Sequence, residues 1–222
     1  MTRSLTGRVR SVQVGRPRPL EHQGRTVRSA IFKERVEGPV HLGALGFDGD
    51  GQADRRHHGG PDQAAYAYPF EHYAHWAPRL PERIAEPGLF GENVTTEGLL
   101  EDEIHVGDVF TLGGARVQVT TPRVPCFKLG LRTGDPSIVE AFLESGRLGF
   151  YLRVLAPGPV AAGDPIERLA ADPYGLTMAS LVRALFAPDP DPDSAELERI
   201  LALPVLHPQH RRRIEARRAG RR

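Results

Sequence analysis

The sequence predicts a mainly β fold: a closed or nearly closed barrel with peripheral helices, followed by a small unit of three helices. Three observations predict it. Glycine and proline are abundant, 24 and 20 of 222 residues, which favours many turns between short strands over long helices. An apolar-x-x-Gly-Asp-x-apolar pattern occurs twice, from Ile104 to Phe110 and from Val160 to Ile166, and paired tight turns in a strand-rich chain suit a barrel. Past Leu169 the apolar residues take up helical spacing. The expected division is residues 1–169 for the barrel-like domain and 170–222 for the small helical domain with its basic tail.

The elements follow in order. Residues 7–14 read as a strand with Val9, Val12 and Val14 as its apolar positions. A turn spans Pro17 to Arg25, and residues 26–32 are predicted to return as the second strand of a hairpin. Residues 40–43 form another short strand after the Gly38-Pro39 break. Residues 46–60 carry too many glycines and aspartates for a regular element and read as a long functional loop. Asp48, Asp50 and Asp54 faintly resemble a calcium loop, but the terminal bidentate glutamate is missing. His57 and His58 are adjacent, so they share no helix face and do not read as a zinc pair; one of them lining a pocket and a solvated loop histidine both stay open.

Pro69 fits the first position of a helix with Phe70, Tyr73 and Ala77 on one face, packed as core, and Pro78 as its stop. A polar connection over 81–87 leads to a turn and an extended piece over 89–96. Residues 104–112 read as strand, Gly-Asp turn, strand, and residues 116–120 as a further strand. Asp135 and Pro136 open a helix that buries Val139, Phe142 and Leu143 and ends before Gly146. Residues 150–155 form a strand. Thr177 caps the first C-terminal helix, with Leu181, Val182, Leu185 and Phe186 on one face and Pro188 as its stop. Residues 189–193 are an acidic, proline-broken linker; Leu197, Ile200 and Leu201 mark a second helix, and Pro208 opens a third. The arginines from 211 to 222 read as a frayed basic tail.

Composition narrows the function. A single cysteine excludes an internal disulfide framework, a Cys-held iron–sulfur cluster and a zinc ribbon, and it suits a reducing cytoplasm. The first residues lack a signal-peptide apolar core, and no apolar run reaches membrane-spanning length. A formal net charge of +1 argues against a nucleic-acid partner.

The stretch Thr121-Pro122-Arg123-Val124-Pro125-Cys126-Phe127-Lys128 holds that only cysteine. Its two prolines fix φ and push the residue before each out of the helical region, so the thiol is expected on a stiff, extended loop after a strand. Arg123 and Lys128 flank it, a cationic setting that favours the thiolate, the form that attacks or binds metal. A buried structural cysteine is the plain alternative. Of the 29 basic residues only Lys33 and Lys128 are lysine, so a compact ammonium was kept beside the cysteine in a chain that otherwise uses arginine.

Five stretches in one order carry a family resemblance. They are Ser29-Ala30-Ile31-Phe32-Lys33; Gly49 to Asp54 with His58-Gly59-Gly60-Pro61-Asp62; Phe90-Gly91-Glu92-Asn93; Val106-Gly107-Asp108; and Pro122 to Lys128. Together they resemble the MOSC family, named for the C-terminal domain of molybdenum cofactor sulfurases, and within it the bacterial YiiM-like branch with its three-helix C-terminal domain. Thr121 departs from relatives that often carry glutamine before Pro-Arg.

The resemblance implies a β-barrel-like fold that binds the molybdenum cofactor, molybdopterin. It carries over onto Cys126 the roles of molybdenum ligand and catalytic residue. Lys33, His58, Gly59, Arg123 and Lys128 would supply cations and backbone donors to the cofactor's phosphate and ring, and Asn93 would orient pterin or substrate. A soft thiolate suits a metal already held by the pterin's sulfurs. Such family members are associated with reduction of N-hydroxylated compounds, including N-hydroxylated nucleobases, as detoxification, and at family level with pyridoxal phosphate binding. With no flavin or iron–sulfur signature, the electrons are expected from a separate reductase. The oligomeric state stays open, a homodimer included. A carrier that passes on sulfur or cofactor through a Cys126 persulfide or thiolate, without turnover, is the competing function; a helical tail that binds nucleic acid is a third.

Overall fold

The computed structural model describes residues 5–53, 59–84, 87–187 and 194–219. Its first half contains β1 (Thr6–Val14), β2 (Arg18–His22), β3 (Arg25–Ser29), β4 (Glu34–Val36), β5 (Val40–Gly43), β6 (Gly46–Phe47), β7 (Ala65–Pro69), α1 (Tyr73–Trp76) and β8 (Val94–Glu97). Then come β9 (Val109–Leu112), β10 (Ala115–Pro122), α2 (Phe127–Thr133), α3 (Ile138–Ser145), β11 (Phe150–Ala156), β12 (Gly158–Val160) and β13 (Pro165–Ala170). Three helices end the chain: α4 (Met178–Phe186), α5 (Ser194–Ala202) and α6 (Pro208–Ala219).

Seven strands close on themselves in the order β13, β9, β10, β11, β7, β8, β1, and the pairing of β1 with β13 completes the ring. All neighbours are antiparallel except β7 and β8. Closure removes the unpaired edges that an open sheet exposes. Along β10, Ala115, Val117 and Val119 are buried while Arg116 faces water, the alternation a barrel wall needs. In β1 the buried Val9 and Val12 are three apart, and a register shift between Val9 and Ser11 resets the pleat. Both Gly-Asp turns are closed by their own aspartate. Asp108 accepts from His105 N at 3.0 Å, and Asp164 accepts from Ala161 N at 2.7 Å.

The barrel interior joins Val12, Val94, Phe110, Val117 and Leu152 to Leu181, Leu185, Ile200 and Ile214 of the last three helices in one apolar cluster. A second cluster lies outside the barrel, where Tyr66, Tyr68, Trp76, Phe90, Leu129 and Phe142 pack together. Trp76 and Phe142 stack at 4.6 Å, and truncating a buried ring of this kind costs about 3–5 kcal/mol. Among the described residues no helix is long and apolar enough to cross a membrane.

Several local expectations need correction. Residues 25–29 do form a hairpin strand, but with β2, while β1 pairs with β4, β8 and β13. The helix expected from Pro69 begins later and is short: Ala65–Pro69 is a strand, followed by a 3-10 turn over Phe70–His72 and then α1. All five residues of β7 are buried, with Ala65 and Ala67 in the barrel cluster and Tyr66 and Tyr68 in the outer one, so its hydropathy shows no alternation. The first strand of the 104–112 pair shrinks to one bridge between His105 and Thr177. Phe127–Thr133 is a helix, so Lys128 does not sit on an extended loop.

Among the described residues the arginines of α6 are held by the rest of the chain. Arg211 donates to Leu203 O at 3.0 Å, Arg213 to Leu185 O at 2.9 Å, and Arg217 to Ala187 O at 2.6 Å. They satisfy carbonyls that the ends of α4 and α5 leave open. The expected linker over 189–193 lies outside the described residues, as does His57.

Candidate functional site

Strand β10 ends at Pro122, and the chain then runs extended into Cys126, which has φ −136° and ψ 173° and stands at the N-cap of α2. Leu129 N donates to Cys126 O at 2.8 Å, so the first turn of α2 holds the cysteine backbone in place. The thiol is half-buried on the wall of a cleft. Lys33, Asn93, Arg123 and Lys128 line the same cleft, although β4, β8, β10 and α2 carry or adjoin these residues from distant parts of the chain. Gly59 is placed beside it and is not part of its lining: its N–H donates to Gln63 Oε1 at 3.0 Å, and a Cβ there would meet Gln52 Oε1 at 2.3 Å. His58 lies outside the described residues.

Asp50 is the residue that sequence reasoning missed. Its Oδ1 accepts from Lys33 Nζ at 2.5 Å and from Gly15 N at 2.7 Å, and its Oδ2 accepts from Asn93 Nδ2 at 2.9 Å. This carboxylate, one of the three aspartates whose likeness to a calcium loop fails for want of the terminal glutamate, binds an ammonium and two amides. Burial lowers the Lys33 pKa below its ordinary value, against the opposing pull of Asp50 and Glu92.

Asn93 is equally committed. Its Oδ1 accepts from Tyr66 N at 3.1 Å and its Nδ2 also reaches Gln13 O at 3.3 Å, tying β7 to β1. Glu92 next to it accepts from Gly88 N at 3.1 Å, Phe90 N at 3.0 Å, Thr95 Oγ1 at 3.1 Å and the Tyr73 hydroxyl. Gly91 has φ +83°, and a Cβ there would stand 2.7 Å from Ile31 Cγ1. Only glycine lets this turn press against the 29–33 segment. The Gly-Glu-Asn triplet therefore builds the cleft wall from within.

Arg123 is 6% exposed, and its guanidinium lies 5.1 Å from the centre of the Tyr66 ring. Its Nη1 is buried with no hydrogen-bond partner. A buried donor left in this state costs about 1–3 kcal/mol, more when charged, and an acceptor from outside the chain would satisfy it. Tyr151 faces the same cleft, and burial raises its pKa, keeping the phenol protonated.

Among the described residues no group of three or more His, Cys, Asp or Glu side chains stands together to hold a metal ion. Cys126 is a single soft ligand, so a metal here needs its other ligands from a bound group. A pterin dithiolate with an anionic phosphate matches both this donor set and the orphaned Arg123 nitrogen.

The sequence profile of the MOSC domain matches residues 54–167. Protein YflK of Bacillus subtilis (strain 168) is 41% identical over 170 residues, covering 77% of this chain and 76% of that protein. Protein YiiM of Escherichia coli (strain K12) is 39% identical over 164 residues, covering 73% and 68%. A Gibberella moniliformis (strain M3125 / FGSC 7600) protein named Reductase is 35% identical over 149 residues, 66% of this chain but 26% of that longer protein. The crystal structure of YiiM from Geobacillus stearothermophilus superposes with a TM-score of 0.77 at 31% identity, covering 95% of this chain and 98% of the other. With a closed barrel, a cysteine cleft framed by the Gly-Glu-Asn turn, and these relatives, the chain belongs to the MOSC domain family.

Proposed function

We propose that this chain binds the molybdenum cofactor with Cys126 as its protein ligand and reduces N-hydroxylated compounds, taking electrons from a separate reductase. The observation that carries the reading is the pairing, in one cleft, of a thiol with a buried guanidinium whose Nη1 has no acceptor. A relative named Reductase and the family association support it. The bound cofactor would supply the two-electron chemistry that converts R–NHOH, two electrons and two protons into R–NH2 and water.

The chain's own residues have defined parts in this reading. Arg123 Nη1 and Lys128 bind the cofactor's anionic groups. The Lys33–Asp50 pair stiffens the wall and leaves that side of the cleft nearly neutral in charge, so the phosphate is directed towards Arg123 and Lys128. Asn93 fixes Asp50 and β7, so it acts as a positioning residue rather than a direct ligand. Tyr151 Oη keeps its proton and offers it as a hydrogen bond at the thiol end of the cleft. Protein produced in a molybdenum-competent cell should reduce an N-hydroxylated base with artificial electrons. Stable molybdenum loading without any turnover would favour the carrier function.

A further inference from the structure

A cavity that shares no lining residue with the cysteine cleft lies over the neighbouring strands β8, β1 and β4. Val12 and Val94 belong to the barrel core, so Ser11 and Thr95 beside them in the chain face outward, into this cavity. The two are directly paired across β1 and β8 and give the floor a pair of buried hydroxyls. Gln13 Nε2 donates to both, while Oε1 of the same amide is buried with no partner, so the floor is short of one donor. Above the floor Phe70, Ala74, Ala77, Ile84 and Pro87 make apolar walls.

The mouth is cationic. Arg10 and Arg35 line it with side chains about half exposed. Arg10 lies over the Phe70 ring at 3.5 Å, which sets its guanidinium at the edge of the apolar wall. Its Nη1 bonds Glu97 Oε1 at 2.6 Å, but Arg8 Nε bonds the same glutamate at 3.1 Å, so one acid serves two cations. Arg35 Nε stands 3.2 Å from Glu37 Oε1, and that carboxylate is 85% exposed, a pair that water screens. The one carboxylate in the lining, Glu71, is exposed and accepts from Gly98 N at 2.7 Å.

We propose that this cavity is a second ligand site, for a hydroxyaryl carboxylate: a flat aromatic ring with an acid at one end and a hydroxyl at the other. Cation at the mouth, apolar walls and hydroxyls at the floor match those three parts in order. The carboxylate meets the spare guanidinium donors of Arg10 and Arg35, which suit its planar geometry. The ring lies among Phe70 and the two alanines, whose small side chains leave it room. Its hydroxyl brings to the Ser11–Thr95 floor the donor that is missing there. Apolar walls with a few polar groups at fixed points are the build of a small-molecule site. The proposal does not rest on the reductase reading, since Cys126 and its cleft take no part in it.

Calorimetric titration of the full chain with para-hydroxybenzoate tests it, with benzoate and phenol as comparators that each lack one end. Wild type is expected to bind para-hydroxybenzoate about tenfold more tightly than either. Arg35→Met should weaken binding about tenfold by removing one charge-assisted contact. Ala74→Leu should weaken it at least as much by filling the space for the ring. Both positions are exposed, which spares the core. Arg123→Met, in the cysteine cleft, should leave the affinity unchanged. A wild-type protein that does not bind para-hydroxybenzoate would overturn the proposal, as would an affinity indifferent to both Arg35→Met and Ala74→Leu. Loss of binding in Arg123→Met would also overturn it, by placing the acid in the cysteine cleft. Phenol bound as tightly as para-hydroxybenzoate would defeat the role given to the two arginines.

Discussion

Lys33 Nζ and Asp50 Oδ1 stand 2.5 Å apart with both side chains 8% exposed, an ion pair inside the wall of the cysteine cleft. Two sequence-distant segments meet there, and Asn93 locks the junction from the side of β8. A buried pair of this kind is a weak source of net stability, yet breaking it is costly because one charge is left alone.

Asp50→Ala is therefore expected to destabilise the fold by about 3–5 kcal/mol. Urea unfolding measures it. The double variant Asp50→Asn with Lys33→Met should recover a large part of that loss, since no charge then remains buried. A single variant as stable as wild type would show that the pair is not buried in solution.

Arg123→Met separates stability from cofactor binding. Nη1 has no partner, while the same guanidinium is hydrogen-bonded with the Tyr151 side chain and lies beside the Tyr66 ring, so removing it should cost the cofactor-free protein no more than about 1–3 kcal/mol. Molybdenum retention should fall at least tenfold. If retention is unaffected, the orphaned nitrogen is not a cofactor contact.

His210 gives a pH signature to the docking of α6. Burial, with His207 and Arg213 adding to it, lowers its pKa from 6.5 to about 4. Above pH ~6.5 the ring is neutral in folded and unfolded chains alike, and stability does not depend on pH through it. Below that, the unfolded chain takes up a proton that the folded one refuses, so stability falls until about pH 4, by ~3 kcal/mol in total. His210→Gln should flatten this part of the profile. Unfolding free energies at pH 7 and pH 4.5 for the two proteins give the comparison, and parallel profiles would contradict it.

How much of this was legible in the sequence depended on which faces were buried. The barrel showed through in β10, where Arg116 and Gln118 alternate with valines. It was hidden in β7, because Tyr66 and Tyr68 are covered by helices on the face that usually meets water. The helix α2 was masked by Pro122 and Pro125, which made the segment before it look like a continuing loop. At the site, the cysteine and its neighbouring cations could be found from their scarcity and spacing. Asp50 could not, since its partners Gly15, Lys33 and Asn93 come together only when β1 pairs with β8 and the following loop folds back. The arginines of α6 looked like a loose tail because their acceptors, carbonyls at the ends of α4 and α5, lie 8 to 33 residues earlier.

In the proposed function the thiol of Cys126 is the protein ligand to molybdenum. Wild type and Cys126→Ala, both produced in a molybdenum-competent cell, should be compared for metal and pterin content per chain. Wild type is expected to carry both, and the variant to lose most of its molybdenum while keeping its fold. Equal molybdenum in the two proteins would contradict the assignment outright.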